Sequence, residues 1–401
     1  MIRIASPEEC CGCGACAQIC PRQCITMKED AEGFLYPQTD VPACIDCGLC
    51  EKTCPMLSDT GRENPLDVLA AINQDTDIRD GSSSGGVFTA LASKVIEDGG
   101  VVAGAAFDGR CEVHHEFVSS VAELGRLRGS KYVQSRTENT FRQTAQYLKE
   151  GRPVLFSGTP CQIKALRLFL GREYPLLYTV ETVCHGVPGP GVWRAYLSDV
   201  LGKSMASVRH QSSVLTLDGG LKVCFRDKSS GWKNYHVVIG SSGGENILDE
   251  RHAKNRYMRL FLSDIALRPS CYACRAKNGR SGSDISIADY WGADRLMPEF
   301  YDDKGTSLVI INSEKGKRLF LSAASSAPGI RYAGTSLDDA RKFNAGFSEN
   351  VRVPYMRPYF FRGFARGKND LFRLMDEALH PSLPRRLFWR LKRAFSGTGW
   401  C

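Results

Sequence analysis

The 401-residue sequence predicts a small cysteine-rich α+β module followed by an α/β domain with a mixed, mostly parallel sheet. Three observations predict it. Two cysteine runs lie 34 residues apart near the start; strand-like and helix-like segments alternate from about Asn64 onward; and hydrophobic residues make up 43% of the chain, enough for a full core. A chain of this length divides into two or three domains. Composition and motifs set the boundaries at 1–62 for the cysteine module, 63–345 for the α/β domain and 346–401 for a basic tail.

The runs "CCGCGACAQICP" (10–21) and "CIDCGLCEKTCP" (44–55) both contain C-x2-C-x2-C-x3-C-P. The first set is Cys10, Cys13, Cys16 and Cys20, the second Cys44, Cys47, Cys50 and Cys54. This is the spacing of a two-cluster bacterial ferredoxin, in which the fourth cysteine of each run ligates the other cluster. A ferredoxin-like two-cluster module is therefore expected, with one 4Fe–4S cluster on Cys10, Cys13, Cys16 and Cys54, and a second on Cys44, Cys47, Cys50 and Cys20. Three closely spaced thiolates wrap three corners of a cubane. Gly12, Gly14, Ala15 and Gly48 let backbone amides approach the sulfurs, which tunes the potential. The Cys-Pro turn is expected to open a short helix. Two zinc sites would instead favour separated C-x-x-C pairs. Cys11 and Cys24 fall outside the pattern and read as small buried side chains. Such a module moves electrons singly and does no bond chemistry unaided.

No apolar run of signal-peptide type opens the chain, and the longest apolar stretch, 101–107, is too short to span a bilayer. A cytoplasmic location, or one at the inner face of a membrane, is the expectation. Thiols stay reduced there, so the 17 cysteines read as metal ligands rather than disulfides.

In the body, "SSSGGVFTALASKVIEDGG" places Val87, Leu91 and Val95 at helical spacing after a Ser/Gly start. "VVAGAAF" reads as a strand, "ENTFRQTAQYLKEG" as a helix, "RPVLFSG" as a strand and "TPCQIKALRLFL" as a helix. "LLYTVETV" is a further strand, broken by "CHGVPGPG" before the helical "VWRAYLSDVLG". This βαβ rhythm argues a largely parallel sheet. Cys161 and Cys184 follow consecutive strands, so both belong at the carboxyl edge, where open α/β sheets place their sites. Cys224, inside "LKVCFRD", reads as an ordinary core cysteine. The pair Cys271 and Cys274 in "SCYACRAKN" lacks two of the four ligands that a zinc ion or a cubane needs. Three readings stand open: a third 4Fe–4S cluster on Cys161, Cys184, Cys271 and Cys274, a zinc on the same four, or a redox dithiol beside two unrelated cysteines.

The motifs "SSGGVFTALA", "GSKYVQS", "GTPCQIKAL", "CHGVPGP" and "SDISIADYWG", in this order between residue 66 and about 345, resemble the coenzyme F420 hydrogenase/dehydrogenase beta-subunit family. The resemblance implies FAD with an iron–sulfur cluster beside it, hence a flavin-binding second domain, and electron exchange with a reduced deazaflavin or a similar acceptor. Chlorophyll-derivative reductases share the scaffold, so the substrate does not follow from the fold. A flavin suits the modules present, since clusters pass single electrons, a deazaflavin passes hydride, and a flavin does both. Ser83, Ser84, Gly85 and Gly86 precede a helix whose amides can hold the FAD phosphates, unless they form only an ordinary helix start. Lys131 is the candidate for stabilising charge on a reduced flavin, with Ser130 beside it and Tyr132 packing near the ring; a solvated loop lysine is the plain alternative. Thr159, Arg280, Asp289 and Trp291 complete the cofactor-binding set. His185, next to Cys184, is either a proton donor or a hydrogen-bond partner of the cluster. Lys131 and His185 are thus the catalytic candidates. Direct NAD binding has no support, because no G-x-G-x-x-G follows a strand.

The net charge of +8 resides between Val351 and Cys401, where 11 Lys/Arg face 3 Asp/Glu. The remainder is formally neutral, which excludes a global basic field for nucleic acid. Within "PSLPRRLFWRLKRAFSG", Leu387, Phe388, Leu391 and Phe395 share one helical face, with Trp389 at its flank and Arg385, Arg386, Lys392 and Arg393 largely away from it. Peripheral membrane contact and docking on protein are both open for such a helix. The expected function is an iron–sulfur flavoprotein oxidoreductase. It would pass electrons between a deazaflavin-type or other organic two-electron partner and 4Fe–4S clusters, served by a redox partner protein or small carrier. The alternatives are a non-catalytic electron-transfer subunit, or a reductase of a quinone, tetrapyrrole or glycan precursor.

Overall fold

The computed structural model describes residues 1–59, 61, 64–202, 220–241, 244–367 and 370–388. Each cysteine run folds into one short helix, Ala15–Ile19 and Leu49–Lys52, started by Gly14 and Gly48 at φ of 72°. Glycine takes this left-handed conformation without a steric penalty. The turn puts Cys16 and Cys50 on the helices themselves. The helices therefore precede the Cys-Pro pairs and do not follow them, because a proline just past a helix end cannot extend it. Amides do approach sulfur: Gly12 N lies 3.4 Å from Cys10 Sγ, Asp46 N 3.4 Å from Cys44 Sγ and Ile2 N 3.2 Å from Cys50 Sγ. An antiparallel hairpin, β1 (Ile25–Glu29) and β2 (Leu35–Thr39), completes the α+β module.

The large sheet contains β3 (Asp67–Asn73), β4 (Val101–Phe107), β5 (Val113–Val118), β6 (Val154–Gly158), β7 (Leu177–Thr182), β11 (Ile285–Asp289), β12 (Ser307–Ile311) and β13 (Ile330–Gly334). Its order is β13-β3-β12-β11-β7-β6-β4-β5. The four consecutive strands β11, β7, β6 and β4 are parallel, and β3, two antiparallel steps from β11, shares their direction. β5, β12 and β13 run opposite to them, so the sheet is mixed. Alternation within strands sends Val102 and Leu155 toward the helices Val87–Glu97 and Glu314–Ser325. Val101, Ala103, Val154 and Phe156 face the helices Thr140–Lys149 and Pro160–Leu170. Strands covered on both faces need apolar residues at nearly every position, which is what β4 and β12 carry.

A second, antiparallel sheet joins β8 (Leu221–Asp227), β9 (His236–Ser241) and β10 (Asn246–Arg251). Phe225 and Val237 face the largest core. Cys224, one position earlier on the alternating strand, is exposed and is not the core cysteine expected from its strand context. Helices Arg357–Ala365 and Leu371–Leu379 bury Phe360, Phe361, Leu374 and Met375 in that same core. The packed body thus continues to Leu379, past the boundary read at 345. Beyond it Leu383, Leu387 and Phe388 are exposed; Trp389, Leu391, Lys392, Arg393 and Phe395 lie outside the described residues. Among the described residues no helix is long and apolar enough to cross a membrane.

Candidate metal centres

Cys20 of the first run joins Cys44, Cys47 and Cys50 of the second around one cavity, bordered also by Met1, Ile45 and Leu49. Cys24 lines the same cavity; the other four are the cysteines that the spacing assigns to one cluster. Cys10, Cys13, Cys16 and Cys54 form the other group. Burial pushes the Cys16 thiol up to about 12, and the neighbouring Cys10 and Cys54 add to the rise. Cys24 is buried with its Sγ 3.3 Å from Cys20 Sγ.

The third group is built on the large sheet. β6 and β7 are adjacent and parallel, with Gly158 opposite Glu181. β6 passes through Thr159, which caps the helix Pro160–Leu170 together with Gln162 and puts Cys161 in its first turn. Thr159 Oγ1 lies 3.2 Å from Cys161 Sγ. Cys184 follows β7, and Cys271 and Cys274 come from the short turn that begins at Pro269. All four line one cavity of about 500 Å³ (its open mouth included), which Cys11 and His185 also border. Burial first, then the other thiols, raise Cys184 well above the usual thiol range and Cys271 to about 12. Buried cations surround the group: Lys277 Nζ donates to Glu349 O at 2.8 Å and Lys164 Nζ to Ser58 O at 2.8 Å. Mutually repelling thiols beside buried cations suit an anionic metal–thiolate centre. A zinc ion needs its sulfurs about 2.3 Å from a single point. Among the described residues no group of three or more His, Cys, Asp or Glu is arranged for one ion. The four thiols ring a cavity whose donors fit a metal–thiolate centre.

Arg268 locks the module onto this site. It is fully buried and donates to Cys10 O at 2.6 Å, Leu35 O at 2.9 Å and Gln134 Oε1 at 3.0 Å. Its guanidinium lies over Tyr36, 4.3 Å from the ring centre. Thr137 Oγ1 donates to Cys13 O at 2.6 Å and Arg275 Nη1 to Met56 O at 2.8 Å. The two cysteine-bearing regions therefore pack as neighbours.

At the same carboxyl edge a second polar group centres on Arg226, which sequence reasoning missed. Its side chain is 2% exposed, pairs with Asp289 at 2.9 Å, donates to Tyr132 Oη at 3.2 Å and to Ser83 O at 3.2 Å. It lies over Tyr235 (4.1 Å) and Trp291 (5.1 Å), and Trp291 stacks on Trp232 at 5.1 Å. Arg226 Nε is buried and has no hydrogen-bond partner among the described residues. The signal available was weak: one arginine beside Phe225 in a strand that also carries Lys222 and Asp227. So Ser83, Tyr132, Asp289 and Trp291 do come together. Ser130 N and Oγ donate to Ser83 Oγ at 2.7 and 2.9 Å, and Ser84 Oγ donates to Thr306 O at 2.9 Å.

Three expectations change. Gly85 N–H already donates to Ser307 Oγ at 3.0 Å, and a Cβ at Gly85 would meet Ala71 O at 2.4 Å. Gly85 thus serves close packing on β3 and β12, not a phosphate; Gly86 is buried beside it, its carbonyl taken by Asn73 Nδ2 at 3.3 Å. Lys131 Nζ is tied to the carbonyls of Arg126, Arg128 and Gly129, while desolvation pulls it down to about 7. Arg280 is exposed and neighbours Lys164 rather than the Arg226 group. His185 Nε2 pairs with Asp264 Oδ1 at 2.5 Å. Phe261 links the two sites, its ring 5.4 Å from His185 and 4.8 Å from Tyr132.

Comparison with known proteins follows this division. The model described as "Coenzyme F420 hydrogenase/dehydrogenase, beta subunit N-term" matches residues 68–141, and its C-terminus counterpart matches 151–328. A "4Fe-4S dicluster domain" model matches residues 9–57. No curated protein matches. Among solved structures, a chain of the F420-reducing [NiFe] hydrogenase complex from Methanosarcina barkeri is similar at 17% identity, over 73% of this chain and 91% of that one, with a TM-score of 0.47. On the two matched halves and the dicluster domain ahead of them, this chain belongs to the coenzyme F420 hydrogenase/dehydrogenase beta-subunit family, whose members are iron–sulfur oxidoreductase components.

Proposed function

We propose that the chain is a flavin-dependent oxidoreductase that moves electrons between an organic two-electron partner of the deazaflavin type and three 4Fe–4S clusters. The observation that carries this reading is the single cavity ringed by Cys161, Cys184, Cys271 and Cys274, beside the dicluster module and the sheet edge. Those four would hold the third cluster. Cys10, Cys13, Cys16 and Cys54 would hold one of the module's clusters, and Cys20, Cys44, Cys47 and Cys50 the other. A flavin, with clusters beside it, supplies the exchange between paired and single electrons.

Tyr132, Arg226, Asp289 and Trp291 fit the ring end of a flavin, because they join aromatic faces to a buried cation with an unused donor. Arg226 neutralises negative charge gathered there. Asp289 holds the guanidinium in place. Lys131, near neutrality in proton affinity, can hold or release a proton at Nζ. Asp264 fixes the His185 imidazole at the rim of the thiol cavity, and Phe261 keeps water from the space between the two sites.

Anaerobic purification with flavin quantitation tests the reading. One FAD per chain, bleached by a reduced deazaflavin, is expected. FAD-free protein with cluster signals alone would overturn it in favour of an electron-carrying subunit. The exposed Leu383, Leu387 and Phe388 beside Arg385 and Arg386 support peripheral contact of the tail with a membrane. Vesicle flotation that is unchanged on truncation after Leu379 would remove that part.

A further inference from the structure

Five cysteines, Cys20, Cys24, Cys44, Cys47 and Cys50, line one cavity of the module, and a cubane takes four. The spacing of the runs leaves Cys24 over. Yet Cys24 is 6% exposed and its Sγ lies 3.3 Å from Cys20 Sγ, a contact of hydrogen-bond length for sulfur. The chain is bent to bring it there. Gln23 stands at φ of 52°, the left-handed region that residues with a side chain rarely occupy, and its N–H donates to Cys20 O at 3.2 Å. One residue later Cys24 O accepts from Asp40 N at 2.8 Å, and the hairpin β1–β2 begins with Ile25 opposite Thr39. The tight turn and the hairpin together hold Cys24 at the cavity wall. The second run has no such sulfur. Its equivalent position, four residues past Cys54, is Ser58, whose carbonyl is taken by Lys164 Nζ at 2.8 Å. A fifth thiol is thus built into one half of the repeat and is missing from the other.

The half that carries it is also the one open to solvent. Of the eight cysteines assigned to the module's clusters, Cys47 alone is exposed. We propose that Cys24 is a reserve ligand, which takes the iron position of Cys20 when the Cys20 bond opens and so keeps this cluster at full ligation. The proposal rests on the reading that Cys20, Cys44, Cys47 and Cys50 hold one cluster. In the exchange the iron–sulfur bond to Cys20 breaks and one to Cys24 forms. The Cys24 S–H proton passes to the Cys20 sulfur beside it, because a thiolate is the ligating form. No electron is gained or lost. The two sulfurs share one wall, so the swap takes side-chain rotation, with Cys44, Cys47 and Cys50 still in place.

The test is iron and acid-labile sulfide on the anaerobically purified full chain, with EPR of the reduced protein. Cys20→Ala should keep wild-type iron and every cluster signal, with the signal of the cluster on Cys44, Cys47 and Cys50 altered in shape by its new ligand. Cys20→Ala combined with Cys24→Ala should lose that cluster, about four irons. Cys54→Ala, with Ser58 and no thiol at the equivalent place, should lose its own cluster outright. Cys20→Ala that loses as much iron as the double variant, or a double variant that keeps as much as the single, would overturn the proposal. Should Cys20→Ala fail to fold by circular dichroism, Cys24→Ser supplies the second measurement. Under limiting ferricyanide its cluster on Cys44, Cys47 and Cys50 should bleach several-fold faster than in the wild type, with the other signals decaying at unchanged rates. Equal rates would overturn the proposal. Cys47→Ala that keeps wild-type iron would overturn the ligand assignment and the proposal with it.

Discussion

Cys44, Cys47 and Cys50 reach their cavity from one short run, whereas Cys161, Cys184, Cys271 and Cys274 are gathered from two strand ends and a distant turn. In the first region glycines at fixed spacing do the positioning, with Gly48 turning the chain so that Cys50 falls in the short helix Leu49–Lys52. In the second, the pairing of β6 with β7 does it, and no local sequence could. The difference decides what a substitution should do. A ligand change in the module should act on its own cluster, while a change at the sheet edge should reach across to other elements.

The largest effect expected is selective loss of metal. Cys161→Ala and Cys271→Ala should each remove the same cluster, about a third of the iron, with both module signals intact by EPR. Cys47→Ala should remove a different third. Loss of a module signal from either of the first two variants would show that the two regions do not assemble independently.

Next is Arg268→Met, which strips donors from Cys10 O, Leu35 O and Gln134 Oε1 at the junction of the regions. Orphaned buried acceptors cost about 1–3 kcal/mol each. A loss of several kcal/mol in denaturant unfolding is expected, together with proteolytic release of residues 1–59. An unchanged midpoint would show that the module docks by other means.

His115 sharpens the contrast from inside the sheet. It is buried, takes a hydrogen bond from or gives one to Ser135 Oγ at 2.7 Å, and contacts Ser157 O at 3.0 Å. Burial lowers its pKa to about 4. The unfolded chain takes up a proton below about 6.5 that the folded chain refuses. Stability should therefore be full above pH 6.5, fall as pH drops toward 4 by on the order of 3 kcal/mol, and level off below. His115→Gln should flatten that window in urea titrations across pH; an unaltered slope would remove His115 as its source.

The smallest effect belongs to Thr159→Ala, which removes the N-cap hydroxyl that donates to Gln162 Oε1 at 3.1 Å at the start of the helix carrying Cys161. About 1 kcal/mol is expected, read from thermal unfolding, with iron content unchanged. Iron loss on this substitution would mean that the cap, and not the strand pairing, positions Cys161.

Much of this was legible in the sequence, for identifiable reasons. The meeting of Cys20 with Cys44, Cys47 and Cys50 at one cavity was readable because the spacing of the two runs is local and repeated. Cys161 and Cys184 were readable because turns after consecutive parallel strands share one edge. Arg226 was not, since its partners Ser83, Tyr132 and Asp289 lie on three other segments that only tertiary packing unites. Gly85 was misjudged because a glycine before a helix looks the same whether a phosphate or a neighbouring strand requires it. The helices at Arg357–Ala365 and Leu371–Leu379 were folded into a basic tail because net charge masked an apolar face.

A third cluster on the sheet-edge thiols Cys161, Cys184, Cys271 and Cys274 is what the proposed electron path needs. Iron and acid-labile sulfide quantified on anaerobically purified full-length chain test it most directly. About twelve of each per chain is the predicted result, and about eight, with Cys161→Ala leaving the count unchanged, would contradict it.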